Sequence, residues 1–231
     1  MINYSGSNTR FVTALLVVFL FGCHNSDAAK KTKSSATKTD DTVARKAEIV
    51  KHAPPAILDT ALYNRKLMHL VHDSVSARWP VKTAYPLPGA ILPFKRIVAY
   101  YGNFYSKNMG ILGELPPDEM LAKLQGEVKK WTAADTSMPA IPAIHYIAIT
   151  AQGQPGKGGK YRMRMPFAQI DKAIELAKKI DAIVFLDVQV GWSTLQEEIP
   201  TLEQYLKMPN VHLAIDPEFS MKTGRRPGTI I

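Results

Sequence analysis

Two short stretches place carboxylates directly after apolar runs. In "AIVFLDVQ" Asp187 and Gln189 follow an apolar run, and in "VHLAIDPEF" Asp216 and Glu218 do the same. Carboxylates just past a buried strand are where α/β proteins put chemistry, because loops at that edge reach a ligand while the sheet holds them rigid. If both runs are neighbouring strands of one parallel sheet, their ends lie about 4.8 Å apart. Asp187, Asp216 and Glu218 then share a small volume. Three converging carboxylates can bind sugar hydroxyls, hold a divalent cation, or raise one another's pKa for acid catalysis. The plainer alternative is that Asp187 and Asp216 cap loops by accepting backbone N–H groups.

Other residues join this list by position. Tyr100, Tyr101 and Asn103 close the apolar run "RIVAYYGN", and His145 lies inside "AIHYIAIT". Aromatics at the mouth of a sheet stack on sugar rings and Asn bonds hydroxyls; aromatic packing and a hydrogen-bonded core histidine are the bland uses. "GQPGKGGK" (153–160) invites a phosphate-loop reading and fails it. Gly153 and Gly158 have the Walker spacing, but Gly159 holds the lysine position, and a shift of one leaves Gln154 and Tyr161 where Gly and Ser/Thr are needed. No nucleotide is expected. A loop over the mouth fits better, with Arg162 and Arg164 turned toward an anionic ligand. His69 and His72 lie three apart on a helical pattern without a further ligand nearby, and read as surface residues. No Ser–His–Asp order, zinc spacing or dinucleotide fingerprint occurs, so no cofactor is expected beyond a possible divalent cation at the three acids.

The elements that must position these groups alternate. "RIVAYYGN" (96–103), "AIHYIAIT" (143–150), "AIVFLDV" (182–188) and "VHLAI" (211–215) are near-continuous apolar runs of strand length. Between them lie three helical patterns. "PPDEMLAKLQGEVKKW" has Pro117 near its first turn and acids beside it; "PFAQIDKAIELAKKI" follows; "STLQEEIPTLEQYL" has Ser193 as its expected N-cap. Strand–helix alternation predicts an α/β fold of parallel (β/α) units with about four strands. A complete eight-fold barrel takes about 250 residues. The region from Ile97 onward is therefore either a small open parallel sheet or the first half of a TIM barrel. Residues 54–95 supply one more helix (54–77) and a connector with four prolines, "RWPVKTAYPLPGAILPFK".

The N-terminus predicts an address. Arg10 precedes "FVTALLVVFLFG", which is too short for the ~20 residues that span a bilayer and suits a signal-peptide core. "LFGC" resembles a lipobox, with Cys23 as the lipidated residue; Cys23 is the only cysteine of the 231-residue chain. Residues 23–53 are polar and rich in Lys, Ser, Thr and Asp, a tether that cannot bury enough apolar surface to fold. The expected partner is thus a membrane, reached through the lipid on Cys23, and the expected place is the bacterial cell envelope. The net charge of +9 raises nucleic acid as an alternative. No basic-aromatic interleaving or nucleic-acid motif supports it, and a solvated basic surface is the reading adopted.

"IVAYYGNFYSKNMGILG", "PAIHYIAITAQGQPGKGGKYRMRMP", "FLDVQVGWSTLQEEIP" and "VHLAIDPEFSMKTG" together resemble a family of poorly characterised bacterial lipoproteins and secreted proteins. The resemblance covers Ile97 onward. It implies a glycoside-hydrolase-like TIM barrel that continues past Ile231, so that this chain holds its N-terminal half, and it implies no particular reaction. Many barrel glycosidases carry the proton donor at the end of strand 4, the place of Glu218 here. The Asn-Glu pair usual at that place is replaced by "DPEF", and the partner carboxylate commonly comes from a later strand. Two functions follow as expectations: a lipid-anchored envelope protein that binds or hydrolyses a carbohydrate-like ligand, or a non-catalytic binding or structural lipoprotein using the same mouth.

Overall fold

The computed structural model describes residues 57–74, 78 and 83–229. The apolar leader, Cys23 and the polar tether lie outside them. Helix α1 (Thr60–Leu70) opens on Asp59, whose side chain accepts the amide of Leu62 at 2.8 Å. It ends earlier than its apolar spacing predicts, because His72 and Asp73 take left-handed backbone conformations. The proline-rich connector leads to strand β1 (Arg96–Gly102). The one-turn helix α2 (Ile111–Glu114) and the long helix α3 (Pro117–Ala134) follow. Pro117 sits in the first turn of α3, with Asp118 and Glu119 beside the positive end of the helix dipole.

Strand β2 (Ala140–Ala151) is the longest element of the sheet, and pairs in parallel with β1 on one side and with β4 (Ile183–Val188) on the other. Between them come the short strand β3 (Arg162–Arg164) and helix α4 (Phe167–Lys178). Strand β5 (Val211–Ile215) pairs in parallel with β4. The parallel order β1-β2-β4-β5 follows the chain, so every predicted strand is present and each lies beside its predecessor. Strand β3 is additional. It pairs antiparallel with the end of β2 that overhangs β1, and its three residues, Arg-Met-Arg, carry too little pattern to be recognised as a strand.

The core lies between one face of the sheet and the helices. Ile144, Tyr146, Ala148, Val184, Leu186, Val188 and Val211 from the sheet meet Met120, Leu121, Ile170, Ala173, Ile174 and Ala177 from α3 and α4. Side chains alternate across a strand, so the other face carries Tyr101, His145, Phe185 and His212. These four are register partners across the four parallel strands and form a row of rings with centroids 5.0, 5.5 and 5.6 Å apart. The fold is therefore an open parallel α/β sheet whose described core is on one side.

The third crossover departs from expectation. In place of one helix, the chain forms α5 (Leu195–Glu198), a 3-10 turn (Ile199–Leu202) and α6 (Glu203–Leu206). Pro200 has no N–H to give and crowds the preceding turn, which interrupts the α-helical ladder. The N-cap is Thr194, whose hydroxyl accepts the amide of Glu197 at 3.2 Å, and not Ser193. Among the described residues no helix is long and apolar enough to cross a membrane.

Candidate functional site

Strands β1, β4 and β5 bring three predicted residues to one point at their carboxyl ends. The Tyr101 hydroxyl lies 3.4 Å from Asp187 Oδ2 and 3.3 Å from Asp216 Oδ2. It has one hydrogen for two carboxylates, so one of them always lacks that donor. Gln189 orders the group. Its Oε1 accepts the amide of Ala151 at 3.0 Å, which fixes the amide orientation, and its Nε2 donates to Asp216 Oδ2 at 2.8 Å and to the Tyr101 oxygen at 3.1 Å. Burial, followed by the charges of Asp187 and Asp216, pushes the Tyr101 hydroxyl well above its ordinary pKa, so it stays a protonated donor at neutral pH.

The two aspartates are not equivalent. Asp187 is 2% exposed, and its Oδ1 accepts the amide of Val188 at 2.9 Å. It thus plays both parts that the sequence leaves open, binding backbone and joining the cluster. Asp216 is partly exposed, and among the described residues its carboxylate meets only the side chains of Tyr101 and Gln189. His145 stacks edge-on to Tyr101, and its Nε2 is buried, without a hydrogen-bond partner, 3.8 Å from Asp187 Oδ2. That separation is too long for a hydrogen bond and short enough for an ion pair once the ring is protonated.

The remaining candidates go elsewhere. Glu218 sits in a 3-10 turn (Pro217–Phe219), exposed, with no hydrogen bond or ion pair to the other acids. Among the described residues no three His, Cys, Asp or Glu side chains are placed to hold a metal ion. Tyr100 points to the opposite face of the sheet, where it packs against the core; adjacent residues in a strand must diverge in this way. Asn103 is buried and structural, donating to the Ile147 carbonyl at 3.1 Å and accepting the Tyr105 amide at 2.8 Å.

Arg162 and Arg164 meet an anion of the protein itself. Arg162 Nε donates to Glu198 Oε1 at 2.6 Å, and Arg164 Nε to Oε2 at 2.7 Å. Ser193 adds its hydroxyl to Oε1 at 2.5 Å. Burial pushes the Glu198 carboxyl up, but the bonds from Arg164, Ser193 and Arg162 outweigh it and hold the group below the ordinary glutamate value. Sequence reasoning offers Ser193 only as an N-cap and does not find Glu198. "LQEEIP" looks like the solvated face of a helix, and nothing local marks the second of two glutamates as fully buried. This knot fastens β3 to α5. Nearby, Gly191 packs against the backbone of Lys160 and Tyr161, and the Trp192 amide donates to the Lys160 carbonyl at 2.8 Å. The glycine-rich loop is therefore anchored at its end. Gln152, Gly156, Lys157, Arg162, Met163 and Arg164 line a cavity of about 490 Å³ beneath it.

His69 lies at the surface, as its spacing from His72 without a further ligand suggests. Its Nε2 lies 2.9 Å from Asp135 Oδ2, an oxygen that Arg96 also reaches at 2.9 Å. The arrangement that stands out is thus Tyr101, His145, Asp187, Gln189 and Asp216 at the strand ends. Compared with protein-family models, with curated proteins and with solved structures, the chain matches none.

Proposed function

We propose that this chain is an exported, lipid-anchored envelope protein whose strand-end site binds a polyhydroxylated, carbohydrate-like ligand. The observation that carries the reading is the single Tyr101 hydroxyl set between the carboxylates of Asp187 and Asp216. Two acceptors competing for one hydrogen are completed by a ligand that brings O–H donors, and adjacent hydroxyls of a sugar supply them in pairs. The half-exposed ring of Tyr101 offers an apolar face beside the same acids, which suits the C–H face of a pyranose. In this reading Asp187 and Gln189 position, and Asp216 contacts the ligand.

Hydrolysis would need one carboxyl protonated and a partner at a defined separation, about 5–5.5 Å for retention or 6.5–9.5 Å for inversion. Asp216 is the group placed to exchange a proton with ligand, because Asp187 is committed to a backbone amide. Glu218 enters only as an exposed acid on the following turn. The resemblance of the four motifs to that lipoprotein family implies a barrel and no particular reaction, so hydrolysis is decided by turnover, and the leader with Cys23 supports the location.

The test is calorimetric titration of the purified chain with mono- and oligosaccharides, alongside turnover of p-nitrophenyl glycosides. Saturable binding that is lost in Tyr101→Phe and Asp216→Asn, with both variants melting normally, supports the site. Turnover lost with binding retained in Asp216→Asn makes it an enzyme. Sugar binding and turnover both unaffected by either substitution overturn the assignment.

A further inference from the structure

A second cavity, away from the strand-end acids, is lined by the start of β1 and by α1. It has a volume of about 620 Å³, within the usual range for ligand pockets. Its walls are Tyr63, Leu67 and Leu70 from one face of α1, Ile97 and Val98 from β1, and Trp131 and Met138 beyond them. Spacings of four and three residues put the α1 side chains on one stripe. An amphipathic helix normally buries that stripe, yet α1 has no buried residue.

The helix is held at its margins by polar contacts and at its start by the ring of Tyr63, edge-on to Tyr85 and Phe94. Lys66 Nζ donates to the Ser137 carbonyl, His69 meets Asp135, and Asn64 donates to the Tyr85 hydroxyl at 3.0 Å. Leu92 and Trp131, 60% and 51% exposed, stand in the opening. These contacts fix the helix with Leu67 and Leu70 facing the cavity. Covering such an apolar surface with apolar matter removes it from water and is favourable.

The rim selects the head group. Lys95 lines the cavity, and its ammonium has no hydrogen-bond or ion-pair partner among the described residues. Its neighbour Arg96 is matched by Asp135 at 2.9 Å, so the unbalanced charge at the opening is the cation of Lys95. An apolar wall ending in one unpaired cation is complementary to a chain ending in one anion.

We propose that this cavity is a binding site for a long-chain monocarboxylate, with the acyl chain between α1 and β1 and the carboxylate at Lys95. The inference does not depend on the strand-end site or on lipidation of Cys23.

The test uses cis-parinaric acid as a fluorescent probe on the full chain, with palmitate and hexadecanol as competitors. The expected result is an emission rise that saturates at one probe per chain and is reversed by palmitate. Leu67→Trp, which fills the cavity from a helix that buries nothing, should weaken the probe by about tenfold or more, and Val98→Trp serves as a second filling variant. Lys95→Glu should weaken palmitate by about tenfold, the loss of one charge-assisted contact, and leave hexadecanol unchanged. Absence of saturable binding, or filling variants that both bind as the wild type does, overturns the site. Equal weakening of acid and alcohol in Lys95→Glu overturns the head-group assignment.

Discussion

Asp187 accepts the Val188 amide from an almost fully buried position and faces the Tyr101 hydroxyl, so truncating its carboxylate removes both contacts from a buried site. That loss costs about 1–3 kcal/mol, and Asp187→Ala should lower the melting temperature accordingly. Asp216→Asn keeps the side chain's shape and leaves no backbone group unpaired, and Glu218→Gln alters an exposed side chain without a partner among the described residues; each should change stability by roughly 0.5 kcal/mol or less. Thermal melts of the three single variants check the ranking, and a Glu218→Gln loss equal to that of Asp187→Ala would contradict it. Glu198 is the harsher case. Removing a buried carboxylate that holds two guanidiniums costs roughly 3–5 kcal/mol, because Arg162, 12% exposed, keeps its charge without a partner. The pH dependence has a definite sign. The folded Glu198 carboxyl titrates below its unfolded value of about 4.3, so its contribution is complete above that value and fades as pH falls through the lower folded one. The stability gap between wild type and Glu198→Gln should therefore be constant from neutrality to about pH 5 and narrow below about pH 4. Chemical denaturation across that interval measures it.

Gly191 ties the glycine-rich loop to the end of β4. Its φ is +57°, and a Cβ there would meet the carbonyl oxygens of Tyr161 and Lys160 at 2.5 and 2.7 Å. Gly191→Ala should cost about 1–3 kcal/mol through backbone strain and displacement. Because Lys157 and Lys160 lie in the loop it fastens, the variant should also be cut faster by trypsin there; wild-type cleavage rates and melting would refute the anchoring role. Nothing in "QVGWS" announces that contact, since a glycine in a loop looks alike whether it is free or pressed against another backbone. The same limit governs the rest of what was and was not legible. The four parallel strands could be read because each is an unbroken apolar run, and α3 and α4 because acids, prolines and spacing agree. The spacing of "STLQEEIPTLEQYL" predicts one helix through Pro200, and the ladder breaks there because proline has no N–H to give. Strand β3 escaped because its identity comes from the overhang of β2, a long-range fact. Asp187, Gln189 and Asp216 were found as strand ends. Tyr101 lies beside them, whereas Tyr100, by the alternation of a strand, faces away.

The packing gives the molecule two different sheet faces. One is filled by helices, and the other carries the row Tyr101, His145, Phe185, His212, with Asp187 on the same side one step along β4. Alternation in the sequence predicts parallel strands, but it does not tell which side the crossovers take, and so the ring row is a property of topology rather than of any local motif. The site therefore belongs to the face left outside the described core, where a ligand has access to strand-end acids. Where in the cell that face is presented depends on residues before the folded part. Arg10, a dozen apolar residues and "LFGC" predict cleavage before Cys23, and the polar residues that follow predict a tether long enough to carry the sheet clear of a membrane. A single acyl chain holds only marginally, whereas two or three accumulate about 0.8 kcal/mol for each buried CH₂ and retain the protein durably. If the address is right, cells fed alkyne-labelled palmitate should label the wild type and not Cys23→Ser. The wild type should also sediment with membranes and leave them only in detergent. Equal labelling of both proteins, or a wild type recovered free of membranes, would remove the anchor and leave the strand-end site to be judged apart from it.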